Sequence, residues 1–161
     1  MPNLYVMCGP AGCGKTTWAL QYMKDHEKQD IRYVSRDDIR FSMLKESDAY
    51  FNQEKKVFAK FAGTIAQTLI DGFDVIADAT HYTIPSRNKL IRAIDSHGII
   101  DYNIIYIVFN TNVNVCLARN QLRVGRACVP DIVIKDMCKN FQHPTWNEDK
   151  RIIDIKDLDY E

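Results

Sequence analysis

One short motif near the N-terminus restricts what this chain can fold into more than any other feature. Residues 9–16 match the phosphate-loop pattern GxxxxGK[ST] at every fixed position. An apolar run over residues 4–8 precedes the motif and a segment with helical character follows it, which is the strand–loop–helix context that the motif requires. The sequence therefore predicts nucleotide binding, and the alternative is a glycine turn that binds nothing.

The residue types of the motif explain how it would hold a nucleotide. Glycines allow the backbone to approach phosphate oxygens closely, and successive N–H groups form an anion-binding nest at the positive end of a helix. We expect Lys15 to reach the β- and γ-phosphates of ATP and the Thr16 hydroxyl to ligate Mg²⁺. The residues expected to bind the nucleotide here are Gly9, Gly12, Cys13, Gly14, Lys15, Thr16 and Thr17.

Strand-like and helix-like segments alternate along the chain. Short apolar runs, typical of strands, cover residues 4–8, 31–34, 73–77, 103–109 and 151–155. Helical patterns cover residues 16–26, 37–45, 49–70, 85–97, 113–122 and 131–141. This alternation predicts an α/β fold, a single P-loop NTPase domain over residues 1–161 with a parallel five-stranded sheet in the order 2-3-1-4-5. Ligands of such sheets bind at the carboxyl ends of the strands.

Composition narrows the classes of protein. Lysine and arginine number 21, as do aspartate and glutamate, so the net charge is zero and any contact with nucleic acid must depend on a local basic patch. The five cysteines show no zinc-site spacing, no apolar run is long enough to span a membrane, and the N-terminus lacks signal-peptide features. We expect a cytoplasmic protein without membrane contact; its oligomeric state is left open.

Three polar residues follow the second and third predicted strands. Asp37 could accept the proton of a hydroxyl group during phosphoryl transfer, although an aspartate here could equally be a helix N-cap. Arg40 shares a helix face with Asp37 and would suit an anionic acceptor, the alternative being a surface ion pair. Asp78 ends the third strand, where it could hold Mg²⁺ directly or through water, or could simply end the strand in a turn.

Three arginines lie close together before Pro130. Arg119 and Arg123 are four residues apart and would share a helix face, and Arg126 follows. Guanidinium groups in this position are typical of a small basic lid that closes over the transferred phosphate. The alternative is a solvated basic helix end that favours the negative pole of the helix.

Four segments, in order within residues 4–140, resemble the kinase domain of phage-type polynucleotide 5′-kinases and the wider group of small P-loop kinases. They are residues 9–19, 35–40, 78–80 and 119–130. The resemblance implies phosphoryl transfer from ATP, with Mg²⁺, to the 5′-hydroxyl of a nucleic acid. It also implies that Lys15 and Thr16 hold the phosphates and the metal, and that Asp37 is the general base.

The resemblance further implies that Arg40 contacts the acceptor's own phosphate and that Asp78 supports the site, by orienting Arg40 or by binding metal. Arg123 would be the lid arginine. The lid is one residue longer here than the resemblance implies, since Val124 precedes Gly125, and Arg126 therefore competes with Arg123 for the role. Two other functions stay open: a kinase of a small metabolite or nucleoside, and an ATPase switch or binding module. ATP and GTP are not distinguished.

Overall fold

A computed structural model describes residues 1–45, 47–49 and 51–159, and the side chain of Arg126 lies outside this description. The strands are β1 (Asn3–Cys8), β2 (Ile31–Ser35), β3 (Asp74–Asp78), β4 (Asn103–Phe109) and β5 (Ile152–Leu158). The α-helices are α1 (Lys15–Asp25), α2 (Arg36–Met43), α3 (Glu54–Ile70), α4 (Ile84–Asp95), α5 (Val113–Gln121) and α6 (Asp131–Lys139). Short 3₁₀ turns cover Gly125–Ala127 and Trp146–Glu148.

The five strands form one parallel sheet in the order β2-β3-β1-β4-β5, which confirms the predicted topology. Helices follow the strands because parallel neighbours need a crossover connection. In the β2–β3 pair, Ser35 lies opposite Asp78, so these two strands end at the same level. The loops that leave β1, β2 and β3 therefore lie side by side at one edge of the sheet.

Both faces of the sheet are covered, because successive strand residues point to opposite sides. On one side, alternate residues of β1 such as Leu4 and Val6 pack with Phe61 and Ile65 of α3 and with buried residues of α4. On the other side, Tyr5 and Met7 belong to a second cluster that includes residues of α1, α5 and α6. Each fully buried aliphatic or aromatic side chain contributes about 1.5–3 kcal/mol, so the two clusters hold the layers together.

The beginning of α3 differs from the sequence-based expectation. The apolar pattern predicted a helix from residue 49, but α3 begins at Glu54. Gln53 has a φ of 61°, a left-handed conformation that a helix cannot continue through. Phe51, expected on the apolar side of that helix, is instead 50% exposed and borders the cleft described below.

A fully buried arginine fastens the segment that precedes β5. Arg87 of α4 donates from Nε to Glu148 Oε1 over 2.9 Å, and its other nitrogens donate to the carbonyl oxygens of His81 and Gln142 over 2.8 Å each. A buried guanidinium needs this full set of partners because an unpaired buried charge is costly.

No helix in the described part of the chain is long and apolar enough to cross a membrane.

Candidate active site

A cleft of about 1110 Å³ lies at the carboxyl edge of the sheet. The loop after β1, the beginning of α2, the end of β3 and the region after α5 all contribute to its walls. Most of the residues singled out in the sequence line this one cleft. They are Gly12, Gly14, Lys15, Thr16, Thr17, Asp37, Arg40, Asp78, Arg119 and Arg123.

The phosphate loop has the backbone that its glycines predict. Gly12 and Gly14 have φ angles of 81° and 99°, a region that residues with a Cβ rarely adopt. A Cβ on Gly12 would lie 2.6 Å from the backbone oxygen of Cys116, so α5 packs directly against the loop. The N–H of Gly9 donates to Thr80 O over 2.8 Å and ties the loop to the residues that follow β3.

Lys15 is buried and lies across the loop. Its ammonium group donates to Gly9 O over 3.1 Å and to Pro10 O over 2.8 Å, and its Nζ lies 3.6 Å from Cys13 Sγ. Gly9 and Cys13 are buried and do not line the cleft, so they support the conformation of the loop from its protein-facing side. The flexible stem of a lysine would allow Nζ to exchange carbonyl oxygens for phosphate oxygens.

Thr16, Asp78 and Tyr33 form a hydrogen-bonded group beside the loop. The Thr16 hydroxyl donates to Asp78 Oδ2 over 2.9 Å, and the Tyr33 hydroxyl donates to the same oxygen. Burial first, and the neighbouring carboxylate of Asp78 second, raise the pKa of Tyr33 well above its ordinary value, so this hydroxyl keeps its proton. Sequence analysis missed Tyr33; a hydroxyl-bearing side chain in a short apolar strand was the available signal.

A network of charged groups lies on the other side of the cleft. Arg40, only 5% exposed, donates to Asp37, and it also donates to Glu54 from Nε over 2.5 Å and from Nη2 over 3.1 Å. Arg36 donates to Glu54 Oε2 over 2.9 Å. The Asp37 side chain is 46% exposed and faces the cleft, so its carboxylate is accessible to a ligand.

Glu54 connects the two arginines, and sequence analysis did not identify it. Burial alone would raise its pKa, but the hydrogen bonds and charges of Arg40 and Arg36 outweigh burial and lower the pKa below its ordinary value. In the described contacts, Arg40 therefore pairs with Asp37 and Glu54. Asp78 accepts hydrogen bonds from Thr16 and Tyr33 instead. Glu54 lies far from Arg40 in the sequence, so no spacing rule could have found this contact.

The predicted basic lid comprises the last turn of α5 and the residues that follow it. Arg119 and Arg123 line the cleft, and Arg119 Nη1 lies 3.4 Å from Gly12 O, to which it donates. Arg126 was the alternative lid arginine, and its side chain lies outside the described residues. A buried amide, Asn120, closes the base of this segment by donating to Val129 O over 2.6 Å and accepting from Val129 N over 3.0 Å.

Few protein groups in the cleft could hold a metal ion. Among the described residues there is no cluster of three or more His, Cys, Asp or Glu side chains suited to a metal. The hydroxyl of Thr16 and the carboxylate of Asp78 are hard oxygen ligands placed together beside the loop. This pair fits Mg²⁺, which keeps several waters and binds through one or two protein groups and the phosphates of its nucleotide.

The fold and the phosphate loop define a nucleotide-binding domain of the P-loop class. A family described as an AAA domain matches residues 4–144, and the chain belongs to this family. No curated protein sequence matches it.

Solved structures share this fold. A structure of the Pnkp1/Rnl/Hen1 RNA repair complex is 21% identical with a TM-score of 0.70, covering 86% of this chain and 43% of that one. A sugar kinase from Janibacter sp. HTCC2649 is 14% identical with a TM-score of 0.67, covering 99% and 85%. A fungal RNA kinase is 16% identical with a TM-score of 0.68, covering 98% and 38%. The chain thus spans less than half of the repair-complex chain and of the fungal enzyme.

Proposed function

We propose that this protein transfers the γ-phosphate of ATP to a hydroxyl group, and that the acceptor is the 5′-hydroxyl of a polynucleotide or oligonucleotide. One observation carries the proposal: Asp37 and Arg40 face the same cleft as Lys15 and Thr16. A carboxylate and a cation opposite a phosphate loop provide a base and an anchor for an acceptor that bears its own phosphate.

The proposed reaction follows from these positions. The acceptor oxygen attacks the γ-phosphorus while the bond from this phosphorus to the β–γ bridging oxygen breaks, and ADP leaves. Asp37 accepts the proton of the attacking hydroxyl and aligns its oxygen with the phosphorus. Lys15 and Arg123 stabilise the charge on the transferred group, with Arg119 beside them, and catalysis is chiefly positioning and electrostatics.

The metal side of the site belongs to Thr16 and Asp78. Their hydrogen-bonded oxygens would hold Mg²⁺ together with the nucleotide phosphates. When bound, the metal neutralises charge that develops on the phosphates. Tyr33 keeps the carboxylate of Asp78 in place by donating to the same oxygen that Thr16 contacts. These contacts favour Asp78 as a residue that holds the metal. Arg40 is oriented by Glu54 and Asp37 instead.

Two lines of support favour a polynucleotide acceptor. Arg40 is held nearly buried by two carboxylates at the acceptor side of the cleft, which fixes a guanidinium where it could pair with the acceptor's phosphate. The structures that share the fold include an RNA repair complex and a fungal RNA kinase. The sugar kinase with the same fold makes a small-molecule acceptor the second candidate, because that chain is covered over 85% of its length.

The test is a transfer assay with γ-labelled ATP and Mg²⁺, offering 5′-hydroxyl DNA and RNA oligonucleotides, nucleoside 3′-monophosphates, nucleosides and sugars in parallel. We expect label at the 5′ ends of oligonucleotides and on nucleoside 3′-monophosphates. Lys15→Ala should abolish the transfer. Lys24→Ala is the matched control, because this exposed lysine lies on the same helix and does not line the cleft.

Two outcomes separate the hypotheses. Label confined to nucleosides or sugars would retain the kinase and refute the polynucleotide acceptor. ATP hydrolysis without any labelled acceptor, undiminished in Asp37→Asn, would indicate an ATPase switch. Replacing labelled ATP by labelled GTP in the same panel identifies the donor.

A further inference from the structure

A second cavity adjoins the acceptor end of the cleft. It has a volume of about 580 Å³ and lies between α3 and α4. Arg36 and Glu54 line both cavities, so the two meet at these side chains. We call it the α3–α4 groove and define it by Arg36, Lys55, Phe58, Lys89, Ala93 and His97.

The groove concentrates positive charge in a chain whose net charge is zero. Arg36, Lys55 and Lys89 line it together with His97, and Glu54 is the one carboxylate among its described lining residues. Glu54 is already bound by Arg40 and Arg36. Within the described residues neither Lys55 nor Lys89 forms a salt bridge, so both ammonium groups could receive an anion from outside.

The floor of the groove combines an aromatic ring with small residues. Lys89 Nζ lies 4.5 Å from the centre of the Phe58 ring, and Arg36 Cζ lies 5.5 Å from it. Alanines at positions 59, 62 and 93 also line the groove, and their small side chains leave the depression open. A half-buried ring beside basic side chains combines the two elements that bind single-stranded nucleic acids, in which bases stack on aromatic groups and phosphates are held by basic ones.

We propose that the α3–α4 groove binds the nucleotides that follow the 5′-terminal nucleotide of a single-stranded acceptor. This inference rests on the proposed function and extends it. The 5′ end would lie beside Asp37 and Arg40, and the strand would pass Arg36 into the groove. There Lys55 and Lys89 would contact successive phosphates while Phe58 stacks on a base. An acidic protein segment has matching charge, but its acidic side chains would not stack on the ring.

The test measures binding and transfer separately. Binding is followed by fluorescence anisotropy of a 5′-hydroxyl 12-mer labelled at its 3′ end, over a series of salt concentrations. The double variant Lys55→Ala/Lys89→Ala should bind about tenfold more weakly, because two solvent-exposed ion pairs with phosphate groups are lost. The slope of log K against log salt should decrease in magnitude by about 1.4, since each single-strand phosphate contact contributes about 0.7.

Transfer is measured as the ratio of kcat/KM for the 12-mer to kcat/KM for a nucleoside 3′-monophosphate. The ratio should fall about tenfold in the double variant and in Phe58→Leu, which keeps an apolar side chain but removes the stacking surface. The matched control is Lys24→Ala/Lys28→Ala, which removes two exposed lysines outside both cavities and should keep the wild-type ratio and slope.

The same salt slope and ratio in both double variants would overturn the groove assignment. A polyglutamate peptide that binds more tightly than the 12-mer and displaces it would assign the groove to an acidic protein instead. The anisotropy measurement needs no catalysis, so it decides about the groove even if no acceptor is labelled. That last result would contradict the proposed function alone.

Discussion

Replacing Gly12 by alanine should damage both the stability of the protein and its nucleotide site. Gly12 has a φ of 81°, and an added Cβ would lie 2.6 Å from the backbone oxygen of Cys116. Real Cβ atoms do not approach oxygen so closely, and a backbone atom cannot swing aside as a side chain can. Either the phosphate loop or the first part of α5 must therefore move.

A second glycine allows the contact to be separated from the backbone strain. Gly72 has a φ of 90°, and a Cβ there would meet no atom within 4 Å. Both alanine variants carry the left-handed strain of about 1–2 kcal/mol and the same gain from a stiffer unfolded chain, of about 0.4–1 kcal/mol. Overpacking costs about 1–3 kcal/mol. Gly12→Ala should therefore lose about 1–3 kcal/mol more free energy of unfolding than Gly72→Ala.

Urea unfolding of the two variants measures this difference, and titration with a fluorescent ADP analogue measures the site. Loss of one or more N–H contacts to phosphate, about 1.5–3 kcal/mol each, should weaken ADP binding by Gly12→Ala at least about tenfold. Gly72→Ala should bind ADP as the wild type does. The reasoning is refuted if the two variants unfold at the same urea concentration and bind ADP equally well.

Tyr33→Phe removes the hydroxyl that donates to Asp78, and loss of such a partner should raise the Mg²⁺ concentration needed for half-maximal ADP binding about tenfold. Tyr22→Phe, which breaks a hydrogen bond to Tyr5 instead, should leave this concentration unchanged. Equal effects of the two variants would contradict the prediction. Burial lowers the pKa of His81 to about 3 in the folded protein. The unfolded chain takes up this proton near the ordinary pKa of 6.5, so stability present above 6.5 is lost as the pH falls. Urea unfolding should show about 1–2 kcal/mol less stability at pH 5 than at pH 7, and His81→Asn should reduce this difference; an unchanged difference would contradict the assignment.

The sheet order and the loop were predictable because their signals are local. The motif over residues 9–16, with a strand before it and a helix after it, fixes the position of the site at one edge of a parallel sheet. Asp37 was found because it follows the second predicted strand, and Arg40 because residues three apart on a helix lie on one face. The structure places both in the cleft, and their roles remain predictions.

The partners of these residues were not predictable, because they come from distant parts of the chain. Glu54 reaches Arg40 only because α3 packs beside α2, and no periodicity describes that contact. The predicted start of this helix at residue 49 was wrong, because Gln53 has a left-handed conformation that its residue type does not indicate. Arg87 was likewise not identified, because two of its partners, Gln142 and Glu148, lie in a segment that follows it by more than fifty residues.

The central claim is that Asp37 activates the acceptor hydroxyl, and a comparison of two neighbouring carboxylates tests it most directly. Asp37→Asn and Asp38→Asn each remove one negative charge from the same turn of α2. The measurement is single-turnover transfer of label from ATP to a 5′-hydroxyl oligonucleotide, with ADP affinity measured in parallel. We expect Asp37→Asn to be slower by a factor of about 100 or more with unchanged ADP affinity, and Asp38→Asn to stay within about twofold of wild type. Equal rates in the two variants would contradict the account.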